Sequence, residues 1–122
     1  MKTAKFDPGG GPIKVEIACK PNRDGSYRLT LYEASANDVV KKWPGNFLNP
    51  DDDEYAMPQP NAANDGRLLE GIVVVSVPPS VGPSTVSMTV RQDGKKLAAE
   101  SQEVPPDSPG AVVDLFVQLE AK

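Results

Sequence analysis

A two-residue alternation of apolar and polar side chains runs through most of this chain. Ile13, Val15, Ile17 and Cys19 alternate with Lys14, Glu16, Ala18 and Lys20, the pattern of a strand with one buried face. Tyr27, Leu29 and Leu31 alternate with Arg28, Thr30 and Tyr32. Between these runs lies Asn22-Arg23-Asp24-Gly25, whose Asp-Gly step marks a tight reversal, so the two strands are expected to pair as a hairpin. A second Asp-Gly, Asp93-Gly94, separates Val86, Met88 and Val90 from a run over Lys95 to Val104 and predicts a second hairpin. The last strand places Ala111, Val113, Leu115, Val117 and Leu119 on one face, against Val112, Asp114, Phe116, Gln118 and Glu120.

Two segments depart from strict alternation. Arg67 to Val77 is almost continuously apolar, through Leu68, Leu69, Ile72, Val73, Val74 and Val75. It reads as a central strand buried on both faces. Asn37 to Trp43 reads as a short strand rather than a two-turn helix, because Val39-Val40 and Trp43 suit a sheet and Pro44-Gly45 halts the run. Residues 44–66 have no clean period and hold Pro44, Pro50, Pro58 and Pro60. They are expected to form a long loop, with Tyr55-Ala56-Met57 as a short edge segment.

The tally is seven to eight strands and no helix. It predicts an all-β fold, an antiparallel β-sandwich with Greek-key connections. The outline resembles immunoglobulin-like sandwiches, a likeness of fold that carries no function. The prolines and glycines, 13 and 10 of 122 residues, then serve as turns and edge protection rather than as a mark of disorder. Residues 1–11, ending in Gly9-Gly10-Gly11, read as a flexible lead-in to a single domain over 12–122.

Composition narrows the function. The chain has no His and one Cys. This excludes a Ser-His-Asp triad, a Cys-His pair, a His-ligated metal and an intrachain disulfide. Cys19, in phase with Ile13, Val15 and Ile17, reads as a buried thiol. The net charge of −4 argues against nucleic acid as a partner. No apolar window is long enough for a membrane-spanning helix. With no apolar stretch after the N-terminal lysines, no signal peptide is expected and a cytoplasmic location is. No motif selects a catalytic pair among the acids, so the chain is not expected to be an enzyme.

Chemistry concentrates between Trp43 and Asp65. Trp43, Phe47 and Tyr55 are three of the seven aromatic residues, set beside Asp51, Asp52, Asp53 and Glu54. Such rings either pin a long loop to the sandwich or form a recognition surface. Tyr32 and Phe116 fall outside their strands' inward phase. If they share a sheet face with Ile72 and Val74, they make an apolar patch of the kind that binds another chain. The expected function is therefore a non-catalytic protein-interaction or assembly module, without cofactor. Its partner is another protein or itself as a homo-oligomer, and its candidate contact residues are Trp43, Phe47, Tyr55, Tyr32 and Phe116. The alternative is a calcium-dependent carbohydrate- or lipid-binding domain, with Asp51, Asp53 and Asp65 as metal ligands in the 49–65 loop.

Overall fold

The computed structural model describes residues 1–20, 25–34, 38–47, 53–76, 83–105 and 110–122. Among these residues, nine strands make two facing sheets. They are β1 (Lys2–Phe6), β2 (Ile13–Lys20), β3 (Gly25–Tyr32), β4 (Val39–Asn46), β5 (Asp53–Ala56), β6 (Leu68–Val75), β7 (Ser84–Gln92), β8 (Lys95–Val104) and β9 (Ala111–Ala121). One sheet has the order β1-β9-β6-β3-β4 and the other β5-β2-β7-β8. All pairs are antiparallel except β1 with β9, which is parallel. The all-β sandwich follows from the alternation. Each strand has one apolar face, and two sheets bury those faces against each other.

The core is the set of inward side chains. Val15 and Ile17 of β2 and Met88 and Val90 of β7 meet Leu29 and Leu31 of β3, Leu69 and Val73 of β6, and Val117 and Leu119 of β9. All of them are buried. Cys19 is buried among them, at 2 % exposure. The sheets approach closely at Gly71, where an added Cβ would come within 3.2 Å of both Ile17 Cδ1 and Met88 Sδ.

The second Asp-Gly hairpin forms as expected. Gln92 pairs with Lys95 across a two-residue turn. Asp93 and Gly94 both have positive φ, 52° and 76°, as the favoured hairpin turn requires. The first hairpin does not form. β2 lies in the four-stranded sheet between β5 and β7, whereas β3 lies in the other sheet between β6 and β4. The reversal predicted at residues 21–24 falls outside the described residues. β3 pairs instead with β4, the strand that follows it.

Three further expectations are corrected. Part of the stretch read as a flexible lead-in is β1, whose Ala4 and Phe6 are fully buried. Gly9 to Gly11 is no loose linker either. The Gln92 side chain accepts a hydrogen bond from Asp7 N at 2.8 Å and donates to the carbonyls of Asp7 and Gly11 at 2.8 and 2.9 Å. Asn61 Nδ2 donates to the carbonyls of Gly10 and Gly11. A Cβ on Gly10 would come within 2.7 Å of Gln92 Nε2, so the glycines there permit close approach. Finally, β6 is the central strand, yet only its inward face is fully buried. Ile72 is half-buried and Val74 is 39 % exposed on the other face.

The segment after Trp43 is more regular than a long loop. β4 runs through Pro44 and Gly45 to Asn46. An edge strand tolerates proline, because the missing N–H faces no partner. β5 is the short edge strand anticipated around Tyr55, paired with β2. A 3-10 turn at Asn61–Asn64 follows.

Candidate interaction face

The aromatic residues of 43–55 come together, but inside the fold. Trp43 is 9 % exposed and Phe47 1 % exposed. Tyr27 of β3 centres the group, with ring centroids 5.0 Å from Phe47 and 6.3 Å from Tyr55, and Trp43 lies 5.9 Å from Tyr55. The Tyr27 and Tyr55 hydroxyls are hydrogen-bonded to each other. Burial first, and then this bond, raise the Tyr27 hydroxyl well above the usual tyrosine range. Lys41 caps the Trp43 ring at 5.4 Å. This seam joins the β4 edge of one sheet to the β5 edge of the other. Of the two readings open for these rings, the anchoring one describes Trp43 and Phe47, because neither has surface left to offer a partner. Their strand phase was visible all along: Trp43, Gly45 and Phe47 continue a period of two.

The acids expected to ligate calcium are dispersed. Asp51 lies outside the described residues. Asp53 pairs with Ile17 on the β5 edge, beside the Tyr27 hydroxyl. Asp65 accepts a hydrogen bond from the backbone N–H of Ala121, at the end of β9 in the other sheet. Among the described residues, no group of three or more Cys, Asp or Glu side chains could hold a metal ion.

Tyr32 and Phe116 do share a face, the outer side of the five-stranded sheet. The register lays that face out in rows across β3, β6 and β9: Tyr32-Leu68-Gln118, Thr30-Glu70-Phe116, Arg28-Ile72-Asp114 and Ser26-Val74-Val112. No element of the described chain covers it. Val112 is 63 % exposed beside Val74, while Leu68, Ile72 and Phe116 are half-buried by their neighbours. A groove of about 260 Å³ runs between Ser26, Arg28, Ile72 and Val74.

A chain of polar contacts crosses these rows diagonally. The Tyr32 hydroxyl donates to Glu70 Oε1 at 2.7 Å, which raises the tyrosine above its ordinary value. Glu70 in turn lies near Asp114, one strand over and one row along the face. Desolvation beside the apolar side chains, and then this second carboxyl, push Asp114 up to about 6. Glu70 is 9 % exposed, so its charge is held flat along the sheet rather than projected outwards. Glu70, Asp114 and Arg28 each read as ordinary outward polar positions in the sequence. Only the register brings them together, and no local signal announces it.

No helix among the described residues is long and apolar enough to cross a membrane. Comparison with protein-family models, curated proteins and solved structures finds no match, and the functional reading rests on the geometry of this face.

Proposed function

We propose that this chain is a non-catalytic assembly module that associates with a second copy of itself through the outer face of its five-stranded sheet. The observation that carries this reading is the row Arg28-Ile72-Asp114, in which opposite charges flank an apolar centre. A face-to-face pair of identical sheets needs a two-fold axis lying in the plane between them. An axis along the row would set Arg28 against Arg28 and Asp114 against Asp114. An axis along β6 instead sets each Arg28 opposite the other copy's Asp114, with Ile72 and Val74 meeting their own counterparts and Val112 covering Ser26. Charge complementarity selects the second arrangement.

The dimensions fit a weak contact. Strands about 4.8 Å apart and outward rows about 6.8 Å apart give on the order of 400 Å² per copy over the twelve side chains. That is well under the roughly 800 Å² per partner of a stable complex. Association is therefore concentration-dependent rather than permanent.

Charge exchange tests this reading. In sedimentation velocity, Arg28→Asp or Asp114→Arg alone should weaken self-association at least about tenfold, because each removes two cross-copy pairs and adds repulsion. The double variant, which inverts both charges, should recover most of it. A double variant as weak as the singles, or a wild-type chain that stays monomeric at millimolar concentration, would sink the proposal.

A further inference from the structure

We infer that a cleft on the outer face of the four-stranded sheet, built around Lys14 and Arg91, binds a carboxylate. The cleft has a volume of about 240 Å³ and is lined by Pro12, Lys14, Glu54, Arg91, Asp93 and Gly94. It lies on the opposite side of the sandwich from the assembly face and does not depend on that reading. Lys14 and Arg91 are cross-strand partners on β2 and β7, and Arg91 is paired in turn with Lys96 on β8. Three cations thus stand in one row.

Their compensation is incomplete. Lys14 reaches Glu54 at 3.8 Å. Asp93 is occupied by the backbone N–H of Gly11, at 3.2 and 3.3 Å from its two oxygens. Arg91 makes no hydrogen bond or ion pair among the described residues, and its Nη1 is buried without a partner. A buried guanidinium nitrogen lacking an acceptor is costly, and of the Arg91 nitrogens only Nη1 is buried, so the Nε–Nη2 edge is left to offer the planar pair of N–H donors that a carboxylate satisfies.

Charge and size choose among anions. The cleft lining sets Lys14 and Arg91 against Glu54 and Asp93, and Lys96 in the Arg91 row adds one positive charge beside it, which a carboxylate neutralises and a phosphate dianion overshoots. At about 240 Å³ the cleft has room for a small carboxylic acid or a peptide's terminal residue.

The experiment is an amide-detected NMR titration of the whole chain with succinate, N-acetylglycine and inorganic phosphate, each at matched ionic strength. The inference expects saturable shifts centred on Lys14, Arg91 and Gly94 with a carboxylate. Succinate binding more tightly points to free small acids, and N-acetylglycine binding more tightly points to a peptide C-terminus. Arg91→Met should weaken binding at least about tenfold and melt no lower than wild type, since it removes an unsatisfied donor. Glu54→Gln, which frees Lys14 from its internal competitor, should tighten binding severalfold. No saturable shift with either carboxylate, phosphate binding more tightly than both, or wild-type affinity in Arg91→Met overturns the inference. If Arg91→Met does not fold, Lys14→Met decides: weakened binding supports the site, and unchanged binding overturns it.

Discussion

Replacing Gln92 by alanine isolates the clasp that holds the N-terminal strand. The side chain is 5 % exposed and makes three hydrogen bonds, one accepted from Asp7 N and two donated to the carbonyls of Asp7 and Gly11. The carbonyls keep other donors after truncation: Gly10 N remains on Asp7 O at 3.0 Å, and Asn61 Nδ2 remains on Gly11 O at 2.9 Å. Only the Asp7 N–H loses its sole acceptor among the described residues. With both carbonyls still served, the loss is chiefly that of orphaning the Asp7 N–H, about 1–3 kcal/mol. β1 is joined to the sheet on one side only, by β9, so the damage should concentrate there. Urea unfolding followed by fluorescence measures the stability, and hydrogen exchange read by NMR measures protection at Ala4 and Phe6. The expected outcome is the stated loss together with faster exchange in β1. A loss under about 0.5 kcal/mol with β1 protection intact would refute the clasp.

Other substitutions probe the remaining structure. Phe47→Ala should cost about 3–5 kcal/mol, the usual range for a fully buried ring, and a chain that keeps its midpoint in denaturant would mean that the ring is not an anchor. Asp114→Asn tests the carboxyl pair. Its folded-state value of about 6, raised from 3.8, means that the folded chain holds the extra proton between those values. The wild type therefore loses stability as pH rises through that window and stays lower above it. The variant should match wild type near pH 4 and exceed it above pH 7. The gain should be under about 1 kcal/mol once solvent screening at this exposed side chain is allowed for. Equal stabilities at both pH values, measured by melting at low protein concentration, would contradict the pairing.

How much of this was readable beforehand depends on whether the deciding interaction is local. β7, β8 and their turn were, because Asp93-Gly94 and the flanking alternation specify one another over a few residues. The Asp24-Gly25 signal misled because a turn says that the chain reverses, not whether it returns to its own sheet. That choice is settled by pairing with β6 and β7, roughly 40 to 80 residues further along the chain. β1 offered only Ala4 and Phe6 as inward apolar positions, and its parallel pairing with β9 has no local signature. Gly9-Gly10-Gly11 has a linker's composition, but the close approach of Gln92 gives those glycines another purpose. Pro44-Gly45 has the composition of a stop, yet the phase of Trp43, Gly45 and Phe47 runs straight through it and β4 continues to Asn46. The Tyr32-Glu70-Asp114 chain joins residues from three strands, so it exists only once the register is set.

The central claim, self-association through the face of β3, β6 and β9, is most directly tested by the methyl NMR spectrum of the whole chain over a series of concentrations. The account predicts concentration-dependent shifts for Ile72, Val74 and Val112, with Leu68 following and the methyls of core residues Val15 and Val90 unmoved. Spectra that stay identical up to millimolar concentration, or shifts that appear on the four-stranded sheet instead, would contradict it.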